Sequence, residues 1–117
     1  MVEINFFEQG GVPQPRNKVK IERFTATPYP DGWRVRINLD VTPFQERPNL
    51  EVQVYAADGR SVAQLSIIET MHHVMEFTVH LRGMMSPVGD YRGHADLFYD
   101  AIEQPVDQAD TTFTITE

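Results

Sequence analysis

The chain contains no cysteine. Disulfides, thiol chemistry and thiolate-bound zinc or iron–sulfur clusters are therefore excluded, and a reducing compartment fits. No apolar run reaches the ~18 residues that a membrane-spanning helix needs. The start, Met1-Val2-Glu3-Ile4-Asn5-Phe6-Phe7-Glu8, has neither the basic opening nor the apolar stretch of a signal peptide. Read as a whole chain, it points to the cytoplasm. Positive charge is scarce: 10 Lys and Arg stand against 17 Asp and Glu, for a net charge of −7. Neither a nucleic-acid backbone nor a membrane is an expected partner for such a chain. There is no glycine-rich phosphate loop, no G-x-S-x-G and no H-E-x-x-H. No catalytic residue and no cofactor are nominated, and the expectation is a non-enzyme.

What the chain does have is alternation. With 41 % apolar residues over 117 positions, it can fill one core. Trp33, Val35, Ile37, Leu39 and Val41 alternate with Arg34, Arg36, Asn38 and Asp40, the pattern of a strand with one buried face. Leu50, Val52, Val54 and Ala56 repeat it, as do Met75, Phe77, Val79 and Leu81, and later Phe113 and Ile115. Val19 and Ile21 take one parity, Phe24 and Ala26 the other, which predicts a bulge in the first strand. Asp58-Gly59 predicts a two-residue type I′ hairpin. That turn sets Val54 opposite Ala63, Val52 opposite Leu65 and Leu50 opposite Ile67, with Tyr55 and Val62 paired on the outer face. In Gly89–Tyr99, Tyr91, Gly93, Ala95, Leu97 and Tyr99 face one way and Arg92, His94 and Asp96 the other. No helical period appears. Residues 1–16, broken by Gly10-Gly11-Val12-Pro13-Gln14-Pro15, read as an arm ahead of a domain at 17–117. Val2, Ile4 and Phe6 either pack on their own domain or add a strand to a neighbour's sheet edge.

Seven short alternating strands, Trp33 at the head of the second, and Pro87-Val88-Gly89-Asp90-Tyr91 ahead of the sixth resemble immunoglobulin-like and fibronectin type III-like domains over residues 18–117. The resemblance implies an all-β, immunoglobulin-like Greek-key sandwich of about seven antiparallel strands. It also implies a corner in which the Tyr91 ring is buried and its hydroxyl bonds back to the backbone. Antibody-type domains differ in having a cysteine pair and a tryptophan on the third strand. Such modules bind or space other proteins more often than they catalyse.

The function expected on these grounds is a non-catalytic binding module for a protein partner or a second copy. Its candidate interface is the outward row Tyr55, Val62, Arg92, His94 and Phe98, where an exposed aromatic marks a contact surface. Met71, Met75, Met84 and Met85 form a second candidate surface. The alternative is a ligand module, holding a carbohydrate on an aromatic face or calcium at the acidic 100–110 stretch through Asp100, Glu103, Asp107 and Asp110. That stretch lacks the spacing of a dedicated calcium loop. Among the histidines, His80 and His94 are expected on opposite sheets. Only Glu69 with His72 or His73 is left as a histidine metal site.

Overall fold

The alternating rows become strands in a computed structural model of the protein, which describes residues 11–117. After one 3-10 turn at Arg16–Lys18 come β1 (Ile21–Pro28), β2 (Arg34–Val41), β3 (Asn49–Ala56) and β4 (Ser61–Ile67). β5 (Val74–His80), β6 (Gly89–Phe98) and β7 (Asp107–Ile115) follow. They form a β-sandwich of two antiparallel sheets, ordered β1-β2-β5 and β4-β3-β6-β7. One residue in two on each strand faces inward. Val35, Ile37, Leu39 and Val41 of β2 thus meet Leu50, Val52 and Val54 of β3 and Tyr91, Ala95 and Leu97 of β6 in a single core. The expected bulge in β1 lies between Ile21 and Arg23. β1 lies along β7, and the Ile21 amide donates to Asp107 Oδ2 at 2.8 Å.

Tyr91 makes the expected corner. Its ring is buried and stacks on Phe113, with centroids 5.0 Å apart and planes 9° off parallel. The hydroxyl donates to the Pro87 carbonyl at 2.5 Å. Burial pushes its pKa above the usual range, which keeps the hydroxyl a donor.

Three expectations need correction. The β3–β4 pairs run as predicted from Leu50–Ile67 to Val54–Ala63, but Tyr55 then pairs with Ser61. The Gly59 amide bonds to the Ala56 carbonyl, and the Ala56 amide to the Arg60 carbonyl, each at 2.9 Å. Of residues 57–59 only Gly59 has positive φ, 89°, so the loop is a three-residue turn ending in a glycine bulge rather than a type I′ turn. The extra loop residue is absorbed by a bulge at Val62, which turns that side chain into the core at 4 % exposure. Trp33 is likewise misplaced: β2 starts after it and it is 36 % exposed. Asp31 Oδ1 accepts from the Trp33 and Arg34 amides at 3.0 and 3.1 Å, which carries the preceding turn through Trp33. Beside it, Pro87 and Ile115 lie 3.3 and 3.6 Å from where a Gly32 side chain would begin.

The third correction concerns the acidic stretch. Because β7 already starts at Asp107, Asp107 and Asp110 belong to a strand. Of the expected arm at residues 1–16, only 11–16 are described. Residues 1–10, with Val2, Ile4 and Phe6, lie outside the described residues. The rest is tied down: Gln14 bridges to Phe44, its amide donating to the Pro43 carbonyl at 2.8 Å. The Arg16 guanidinium lies 4.7 Å from the Tyr99 ring centre and pairs with Glu46 and Asp100.

Candidate functional site

The outer face of the four-stranded sheet is set by register. Across β3 and β6, Tyr55 pairs with Arg92, Gln53 with His94, Glu51 with Asp96 and Asn49 with Phe98. Across β6 and β7, His94 pairs with Asp110 and Asp96 with Gln108. Directly opposed side chains in a sheet lie close enough to interact. The structure therefore brings Tyr55, Arg92, His94 and Phe98 onto one surface and removes Val62 from it. Phe98 is half-buried rather than a free aromatic.

Arg92 holds this surface in one arrangement. Its guanidinium lies 4.8 Å from the Tyr55 ring centre, and Nη1 donates to Asp110 Oδ1 at 2.9 Å. One face of the Tyr55 ring, where a sugar would stack, is thus occupied. His94 sits between two carboxylates, Nδ1 at 2.8 Å from Asp110 Oδ1 and Nε2 at 3.2 Å from Asp96 Oδ1. Gln108 Nε2 also donates to Asp96 Oδ1, at 2.7 Å. Towards β4, Glu51 accepts from Gln53, Gln64 and Ser66.

A neutral imidazole has one donor nitrogen, whereas two carboxylates ask for two. Burial opposes the imidazolium, but the bonds to Asp110 and Asp96 and their charge outweigh it, so His94 titrates above its ordinary range. The Asp110 carboxyl is held below its own range, mainly by the bond to His94 and then by Arg92. A raised histidine pKa gives stability that is complete below the unfolded value, about 6.5, and is lost as pH rises through the native value. A depressed carboxyl pKa gives stability present above the unfolded value, about 3.9, and lost below the native one. The melting-temperature advantage of the native protein over His94→Gln should therefore be largest between about pH 4 and 6.5 and shrink by pH 8.5. An advantage independent of pH would mean that His94 is not held between these carboxylates.

The other candidate residues do not converge. Asp100 pairs with Arg16, Asp107 accepts from the Ile21 amide and Asp110 serves Arg92 and His94. Three of the four proposed calcium ligands, Asp100, Asp107 and Asp110, are therefore engaged at different places, and they form no cation group with Glu103. His80 lies on β5 of the opposite sheet from His94. Among the described residues no three His, Asp or Glu side chains are grouped as a metal site, around Glu69, His72 and His73 or elsewhere. Met75 is core, and the exposed Met71 and Met85 sit in connections at opposite ends of β5. The methionines form no common surface.

One feature lay beyond sequence reasoning. An open cleft of about 420 Å³ separates the β3–β4 turn from the 81–88 connection and the start of β6, with Asp58, Arg60, Met84, Met85 and Asp90 around Tyr91. Arg60 Nη1 crosses it to the Gly83 carbonyl at 2.7 Å. A second depression, lined by Tyr55, Asp90, Tyr91 and Arg92, joins this cleft to the sheet face. The signal in sequence was Met84-Met85, but the facing hairpin is distant along the chain.

With this geometry in view, known proteins give one kind of match. No protein-family model matches the chain, and no curated protein does. Solved structures match in architecture. A glycosyl hydrolase family 2 member from Bacteroides cellulosilyticus is 13 % identical with a TM-score of 0.59, over 83 % of this chain and 14 % of that one. A β-glucuronidase from Bifidobacterium dentium is 14 % identical with a TM-score of 0.57, over 83 % and 18 %. Another, from Lactobacillus rhamnosus, is 19 % identical with a TM-score of 0.52, over 84 % and 16 %. The likeness is one of fold. The chain spans only 14–18 % of these proteins, and what it shares with them is a β-sandwich domain.

Proposed function

We propose that the chain is a non-catalytic interaction module of the immunoglobulin-like or fibronectin type III-like kind. It binds a protein partner or a second copy through the outer face of β3 and β6. The observation that carries this reading is the Arg92 guanidinium, held in place between the Tyr55 ring and Asp110. Tyrosine and arginine dominate interface energetics, and a side chain already ordered loses less entropy on binding. Tyr55, Arg92, His94 and Phe98 form the centre of this surface. The cleft beside it, rimmed by Met85, extends it with an adaptable apolar edge. Further support comes from the structural neighbours, in which a sandwich of this architecture is a small share of a longer chain.

The test is affinity capture from the source organism with the native chain and with Tyr55→Ala/Arg92→Ala, followed by titration against the purified partner. The double variant should bind at least about tenfold more weakly, as expected where interface anchors are truncated. Equal affinity for both proteins would overturn the reading.

A further inference from the structure

We propose that the proton on His94 governs the contact face of β3 and β6: the face holds its partner while His94 is an imidazolium and releases it when the ring is neutral. This regulation rests on the contact reading given above. It starts from how the row across β6 and β7 is built. Asp110 Oδ1 accepts from Arg92 Nη1 at 2.9 Å and lies 2.8 Å from His94 Nδ1. His94 Nε2 lies 3.2 Å from Asp96 Oδ1, and Gln108 Nε2 donates to that same oxygen at 2.7 Å. The row is a chain of alternating charge, Arg92, Asp110, His94 and Asp96, closed by an amide. On β3, Gln53 stands opposite His94, Tyr55 opposite Arg92 and Glu51 opposite Asp96. Among the described residues, the charged and titratable groups around the ring are therefore Arg92 and Asp96 on β6, Asp110 on β7, and Glu51 and Tyr55 on β3.

Loss of the proton breaks this chain at one place. A neutral imidazole has a single N–H. That N–H stays on Nδ1, because Gln108 Nε2 stands 3.5 Å from His94 Nε2 and can only donate to it. The Nε2 lone pair then faces Asp96 Oδ1, acceptor against acceptor. Asp96 also stands opposite Glu51, and like charges directly opposed in a sheet repel. Glu51 has donors of its own in Gln53, Gln64 and Ser66. Among the described residues Asp96 keeps only Gln108. Its side chain is 14 % exposed, so little water replaces the lost bond.

A partner laid over this face removes that water. With the imidazolium in place, Arg92 and His94 balance Asp110 and Asp96, and the row can be covered as a neutral unit. With the ring neutral, covering it leaves a carboxylate unpaired, and an unpaired buried charge is what makes breaking such a row costly. Burial works against the imidazolium, yet Asp110 and Asp96 outweigh it and hold His94 above its ordinary range. The change therefore falls near neutral pH. Affinity is full while the ring is protonated and falls as pH rises through the His94 value, by at most about tenfold per pH unit for one linked proton.

Titration of the native chain with the purified partner at about pH 6 and about pH 8.5, at constant ionic strength, tests it. Affinity should fall about fivefold or more between the two. Asp96→Asn is the decisive variant, because its amide can donate to a neutral Nε2. Its affinity should hold within about twofold over the same range and exceed that of the native chain at the higher pH. Misfolding would not produce such a gain, and a pH dependence carried by the partner's own groups would persist in the variant. Equal native affinity at both pH values, or an Asp96→Asn profile that falls like the native one, would overturn the proposal and leave the contact face standing. A partner whose affinity Tyr55→Ala/Arg92→Ala does not change would sink the face itself, and this proposal with it.

Discussion

Truncating Leu97 to alanine should lower the free energy of unfolding by about 3–4 kcal/mol. Leu97 is fully buried and lies on β6, which is paired on both sides, with Leu50 and Asp107 as its neighbours in register. A central strand held by ladders on each flank cannot shift to close the void, so the cavity adds to the lost transfer energy. Domains of this size are stable by only about 5–15 kcal/mol, so the variant forfeits a large fraction. Urea denaturation should show the midpoint falling with an unchanged slope. A loss under about 1 kcal/mol would resemble that of a surface residue and would displace Leu97 from the core.

Tyr91→Phe should cost about 1–2 kcal/mol, a larger effect than one hydroxyl ordinarily has. The substitution keeps the ring and its stacking on Phe113. It removes the hydroxyl that ties the 81–88 connection to β6 through the Pro87 carbonyl and the Met84 sulfur. The Pro87 carbonyl then loses its partner in a part-buried setting beside the ring, and an acceptor left unmet away from water costs more than the net value of a bond. Equal stability of the two proteins would mean that the corner does not pin this connection.

The fold was legible in the sequence where a row of side chains has one side to hide. Val35 to Val41 and Tyr91 to Leu97 showed their inner faces by alternation alone, and Leu50–Ile67 to Val54–Ala63 followed from a single hairpin. The Tyr91 corner was legible because the resemblance placed a tyrosine just after a turn. The misses share a cause, which is that turns spend residues in ways alternation cannot count. One more residue in the loop at Gly59 moved Val62 from the surface to the core. Two amides caught by Asp31 moved Trp33 the other way. Asp107 and Asp110 looked like loop because acids crowd there, yet outward-facing strand positions are polar too. Within the candidate site, Tyr55, Arg92 and His94 could be placed on one face by parity. Their bonds to Asp110 and Asp96 could not, because the pairing of β6 with β7 depends on where β7 begins.

The central claim is that β6 divides its labour, with an inner face that makes the fold and an outer face that makes the contact. Denaturation of Arg92→Ala beside Leu97→Ala, with partner binding measured on the same Arg92→Ala sample, tests it most directly. Arg92 makes an exposed ion pair, of a kind worth about 0–1 kcal/mol. Its removal should leave stability within about 1 kcal/mol of the native protein while binding weakens about tenfold or more. An Arg92→Ala protein that unfolds as readily as Leu97→Ala, or that binds as well as the native chain, would contradict the account.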